Sequence, residues 1–261
     1  MKKFANMFLG AASLVSLLVM GTGTAALAQE AEAPSWSLAG AINIQSDYKF
    51  RGISQNKRDP SPQGTMTLSG PEGFYVSGWA STVDWNLAGQ NNNPAVEFDI
   101  YGGKHTDLWG VDWNFMPYYY AYPGHNAAGG PTADYFELIN QLSKGFGPVT
   151  LTGSYAWSPT FSLGGGPGHA TWGTAAYAIN DWLSISGNVG HQWVRAAAAA
   201  GSRDYTYGDI GVTATYKGFA LDLRYNGTDM GTAACSFYMA TRNACNGNVV
   251  ATLTYSFALL P

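Results

Sequence analysis

A transmembrane antiparallel β-barrel of about twelve strands is the fold class this sequence predicts. Three observations predict it. Apolar residues recur with a period of two along almost the whole chain. Short connections alternate with long ones in strict order. The composition is poor in charge, at 11%, and rich in aromatics, at 14%, with 33 glycines, whereas an ordinary globular domain is about 25% charged. A barrel in an outer membrane accounts for all three, because its outer face meets lipid and aromatic girdles sit at both interfaces. A secreted β-sandwich would share the Gly and Tyr but keep more surface charge.

The first 28 residues read as an export signal rather than a strand. Lys2 and Lys3 precede an apolar stretch from about Phe8 to Met20, and Ala26-Leu27-Ala28 gives a cleavage site. The apolar core is too short for a membrane anchor. The expected mature chain, 29–261, forms one barrel domain with eleven basic and seventeen acidic side chains, a formal charge of −6. That balance argues against a nucleic-acid partner. No later stretch approaches 18 consecutive apolar residues, so no transmembrane helix is expected. Cys235 and Cys245 fit one small disulfide loop in an oxidising compartment.

The strands follow in order. From Trp36 to Phe50 the even positions are mostly apolar and the odd ones mostly polar, over about fifteen residues, longer than the usual 5–6-residue strand of a globular protein. Strands at about 62–69 and 74–84 have weak parity, which leaves ten or fourteen strands open beside twelve. "VEFDIYG" sets Val96, Phe98 and Ile100 against Glu97, Asp99 and Tyr101. Strands at about 111–122 and 134–143 follow. "PVTLTGSYAWS" sets Val149, Leu151 and Tyr155 against Thr150, Thr152 and Ser154. Strands at about 169–179, 183–194 and 204–216 lead to "FALDLRYN", with Leu221 and Leu223 against Asp222 and Arg224. "VVATLTYSF" closes the set. The tight connections are 70–73, 104–110, 144–147, 179–181 and 216–218. The long polar ones are about 51–61, 86–94, 123–133, 159–168, 195–203 and 227–247. Twelve is even, so both ends belong on the periplasmic side.

One stretch, "SDYKFRGISQ" at 46–55, places Asp47, Lys49 and Arg51 opposite Tyr48 and Phe50. A charge facing lipid costs about 2–4 kcal/mol at the midplane. The three charges are therefore expected in the lumen, with Tyr48 and Phe50 at the lipid interface. The same segment resembles the hallmark of the TorF-type porin family, once catalogued only as uncharacterised proteobacterial proteins. "GFYVSGWASTVDW", "EFDIYGG", "YPG", "FGPVTLTGSYAWSP" and "LDLRYNGTD" look like its later blocks, so the resemblance covers roughly 34–257. It implies an outer-membrane barrel of Gram-negative type labelled a porin, and little about substrate. The end departs from the pattern: barrels of this kind usually finish on an aromatic, and here Ala258, Leu259, Leu260 and Pro261 follow Phe257.

Parity assigns Asp47, Lys49, Arg51, Glu97, Asp99, Asp112, Glu137, Asp209, Asp222 and Arg224 to the lumen, with Asn114, Tyr118, Tyr120, Gln141 and Asn188. Rings of charge are how pores choose ions. The predicted function is a porin-like channel for passive diffusion of ions or small hydrophilic solutes, the excess acids favouring cations. Two other classes compete: a non-conducting structural or adhesive barrel, and a barrel enzyme acting on lipids. An enzyme needs a Ser within reach of a His. His191 shares the lipid-facing parity of Ile185 and Val189, whereas Ser154 and Ser158 have lumen parity, and no G-x-S-x-G occurs. No enzyme activity is expected. Four scattered His and two Cys lack metal-ligand spacing, so no metal or cofactor is expected, and the partners are outer-membrane lipid and the solute.

Overall fold

The structure, a computed structural model, describes residues 36–85, 93–125, 132–195, 203–239 and 243–260. The segment 1–28, read as an export signal, lies outside the described residues, as does the alanine run 196–200.

Twelve strands close into one antiparallel barrel. They are β1 (Ser37–Gln45), β4 (Ser61–Ser69), β5 (Phe74–Thr82), β6 (Val96–Asp107), β7 (Asp112–Ala121), β8 (Tyr135–Phe146), β9 (Val149–Ser158), β10 (Gly168–Ala178), β11 (Leu183–Val194), β12 (Tyr205–Tyr216), β13 (Phe219–Thr228) and β14 (Asn248–Leu260). Each pairs with its neighbour in sequence, and β1 pairs with β14 to close the ring. Closure satisfies the backbone groups that lipid could not. A separate two-stranded hairpin, β2 (Lys49–Phe50) and β3 (Ile53–Ser54), stands outside the ring. One short helix, α1 (Thr232–Tyr238), lies in the last long loop.

The alternation decides which way each residue points. Ile42, Ile44, Val189, Ile210, Leu223 and Val249 are exposed on the outside, and Trp36, Phe74, Trp182 and Phe219 mark the short-turn end. Between them on the same strands, Gln45, Thr152, Thr213, Asp222, Thr252 and Thr254 are buried inside. The short turns suit the barrel's twist: Lys217 and Gly218 join Tyr216 to Phe219 with φ 46° and 84°. Positive φ at both central residues matches the right-handed twist of a two-residue hairpin.

Three local expectations are corrected. The first strand stops at Gln45 rather than continuing to Phe50. The connection read at 104–110 shrinks, because β6 runs on to Asp107 and brings His105 into the strand. Strand β14 likewise runs through Ala258 and Leu259 to Leu260, with a register shift against β1 between Leu38 and Ala39. The weak parity of β5 also has a cause. Trp79 points inward between Ser77 and Ser81 and packs on Tyr48, ring centroids 5.5 Å apart, so an apolar side chain stands on the otherwise polar inner face.

Candidate functional site

The site begins with the tight turn in "KFRGIS". Arg51 and Gly52 have φ 46° and 80°, and Phe50 pairs with Ile53 across them. This is again the two-residue hairpin geometry that favours Gly at its second position. The hairpin leaves the wall between β1 and β4 and folds into the lumen. Tyr48 is buried, and Phe50 packs edge-on against Tyr120 of β7 at 5.9 Å. The expectation that Tyr48 and Phe50 face lipid is therefore wrong. A hairpin inside a barrel has no lipid side, so both of its faces meet protein.

Arg51 at the tip reaches the opposite wall. Its Nη1 and Nη2 donate to Glu137 Oε1 and Oε2 of β8 at 2.9 and 2.7 Å. Nη1 also donates to Gln192 Oε1 of β11. The guanidinium lies 4.8 Å from the Phe50 ring and 5.6 Å from that of Trp172. A bidentate Arg–carboxylate pair fixes direction as well as charge. Nearer the base, Lys49 Nζ sits 3.2 Å from Asp47 Oδ2. Asp47 also accepts from Ser54 Oγ at 2.6 Å and Asn248 Nδ2 at 3.0 Å.

A second charged group lies on the β12–β13 wall. Arg224 bonds Asp209 at 2.6 Å, Asp222 at 3.0 Å and Ser186 Oγ at 2.8 Å. Asn188 donates to Asp209 at 3.2 Å, and Thr213 to Asp222 at 2.7 Å. Asp112 holds His105 at 2.9 Å instead.

Glu97 and Asp99 differ from the rest. Each is 1% exposed. Tyr48 donates to Glu97 at 3.4 Å and Tyr118 to Asp99 at 2.8 Å. Tyr122 stands against Glu97 as a second phenol, and Asp99 Oδ1 has no hydrogen-bond partner among the described residues. Among the described residues, no basic side chain forms an ion pair with either. Around them stand stacked tyrosines: Tyr101 on Tyr118 at 4.6 Å, Tyr118 on Tyr120 at 4.4 Å and Tyr120 on Tyr135 at 4.2 Å. Asn114 bonds the Tyr75 hydroxyl at 3.0 Å, and Gln141 the Ser154 hydroxyl at 3.3 Å. The inner wall near the long loops is thus packed against the hairpin. Towards the short turns it carries smaller side chains such as Thr65, Thr67 and Ser143, which are only half-buried.

Cys235 in α1 is disulfide-bonded to Cys245. Both are buried with Met230, Met239 and Ala244 in the same core as Tyr48 and Ile53, so this part of the last loop turns into the barrel mouth. The histidines lie apart from the acids of the lumen centre. His191 bonds Thr206 Oγ1 at 2.8 Å and packs at a tilt on Trp193, ring centroids 4.4 Å apart. His169 bonds the Tyr155 hydroxyl at 2.7 Å. Sequence reasoning missed Gln192, Tyr48 and Trp79 as site residues. Inward parity in "HQW" was the available signal for Gln192; nothing local signals the other two.

A family model described as a bacterial protein of unknown function (Gcw_chp) matches residues 28–257. The chain belongs to the Gcw_chp family. No curated protein matches it. Among solved structures, the KdgM porin superposes with a TM-score of 0.54 at 7% identity, covering 85% of this chain and 99% of KdgM. KdgM has also been solved in complex with disordered oligogalacturonate. The NanC porin gives 0.53 at 10% identity, over 84% of this chain and 98% of NanC. An outer membrane channel from Pseudomonas putida F1 gives 0.50 at 12%, over 90% and 100%. At these identities the likeness is one of fold: this chain shares with these proteins the closed antiparallel barrel.

Proposed function

We propose that the protein is an outer-membrane channel for passive diffusion of ions or small hydrophilic solutes, narrowed by its first long loop and favouring cations. The observation that carries this reading is the charge arrangement inside a closed, lipid-belted barrel. Lys49, Arg51 and Arg224 are each committed to acids, while among the described residues no basic side chain pairs with Glu97 or Asp99 in the same lumen. Where it is ionised, a carboxylate without a paired cation attracts cations and repels anions. A twelve-strand barrel is intermediate between the side-chain-filled eight-strand and the aqueous sixteen-strand kind. The resemblance of "SDYKFRGISQ" to TorF-type porins agrees with the reading. Of the predicted residues, Glu97 and Asp99 would set selectivity, and Arg51 with Glu137 would set the width by holding the hairpin.

The test is planar-bilayer conductance of the refolded protein, with reversal potential in a salt gradient. Stepwise openings with cation preference support the channel. A second reading, a non-conducting barrel, is favoured by the tight packing of Tyr48, Phe50 and Arg51 against the walls. Silence from protein shown to be folded by heat-modifiable gel mobility would establish it instead.

A further inference from the structure

The hairpin β2–β3 pairs with no strand of the wall. Something else must hold it across the lumen. One anchor is Arg51 on the far wall. The other is a pair of backbone carbonyls that flank Cys245. Ala244 O accepts from Ser54 N at 2.9 Å and from Lys49 Nζ at 3.1 Å. Asn246 O accepts from Lys49 Nζ at 3.4 Å and from Arg58 Nη2 at 2.9 Å. Cys245 O, between them, accepts from Thr228 Oγ1 at 3.0 Å.

We propose that the Cys235–Cys245 disulfide is a latch: it holds the Ala244 and Asn246 carbonyls in place, they hold the first loop across the lumen, and opening the bond widens the channel. The proposal rests on the channel reading above. Residues 243–247 belong to no strand or helix. Irregular backbone keeps several carbonyls aimed at one partner only when it is tethered, since each untethered residue regains conformational freedom. One end is held by β14, which begins at Asn248; the other is tethered by the bond to Cys235, itself buried at the mouth beside Met230 and Met239. On the other side, Lys49 pairs with Asp47 of its own segment while bonding Ala244 and Asn246. Loss of the tether loosens the near anchor and leaves the hairpin to Arg51, the Asn248–Asp47 bond and the packing of Tyr48 and Phe50 on Trp79 and Tyr120. A charge-assisted bond at one end still permits the hairpin to swing about it.

Single-channel recording of Cys235→Ser/Cys245→Ser against the parent chain tests this. Loss of one or two net hydrogen bonds corresponds to a rise on the order of tenfold in the open fraction. Lys49→Met, with the disulfide intact, should move the open fraction the same way by a smaller factor. Adding Ser54→Cys and Ala244→Cys to the serine double variant puts a new crosslink where Ser54 N meets Ala244 O. It should restore the parent conductance under oxidising conditions and release it on reduction. An unchanged open fraction in folded serine variant and Lys49→Met, or a crosslink without effect, overturns the latch and leaves the channel standing. A variant with residues 48–58 replaced by a short Gly-Ser linker separates the two readings. If that barrel folds and stays silent, the channel reading falls and the latch falls with it.

Discussion

Arg51 and Glu137 meet across the width of the barrel, Nη2 to Oε2 at 2.7 Å, with both side chains almost wholly buried. They lie 86 positions apart in sequence. Arg51 comes from a loop and Glu137 from the wall, so their pairing converts an irregular connection into a fixed crossbar.

Removing one partner should cost stability. Arg51→Met leaves Glu137 buried without its cation, which is worth about 3–5 kcal/mol. Replacing both, as Arg51→Met/Glu137→Leu, should recover most of that loss, because no charge is left stranded. Urea unfolding of the refolded barrel measures both. Equal loss in the single and double variants would mean that packing, not charge, holds the hairpin.

Selectivity should follow the unpaired acids. Glu97→Gln/Asp99→Asn should shift the reversal potential in a salt gradient towards zero. Asp222→Asn should shift it less, because Asp222 already shares Arg224 with Asp209. The reverse ranking would place the selectivity filter on the β12–β13 wall.

Gly52 should tolerate no side chain. Its φ is 80°, and a Cβ there would lie 2.5 Å from Thr228 Cγ2 and 3.0 Å from Tyr207 Cβ. Left-handed backbone alone costs about 1–2 kcal/mol for a residue with a Cβ, and the clash adds to it. Gly52→Ala should therefore raise protease cleavage within 46–58 while leaving the heat-modifiable barrel intact.

The lipid face should reject charge. Leu223 is exposed on the outside of β13. Leu223→Arg should lower folding stability in a bilayer by about 2–4 kcal/mol at the midplane. Equilibrium folding into vesicles of defined thickness gives the value, and a cost near zero would place Leu223 close to an interface.

By itself the sequence determined the barrel, its even strand number and the two faces. A period of two needs only local information: Leu221, Asp222, Leu223 and Arg224 must alternate in and out wherever the strand lies. The same parity assigns Glu97, Asp99 and Glu137 to the inside, where their side chains are buried. Tertiary structure alone decided what fills the ring. "SDYKFRGISQ" reads as a continuing strand with an outward aromatic face, because alternation persists through it. The chain leaves the wall after Gln45, and the inward hairpin then finds Trp79, Tyr120, Glu137 and Gln192, residues 30 to 140 positions away that no local pattern connects. The same holds for the carbonyls of Ala244 and Asn246. Periodicity specifies which side of a strand is wet; only closure of the barrel brings distant inward side chains within bonding distance of one another.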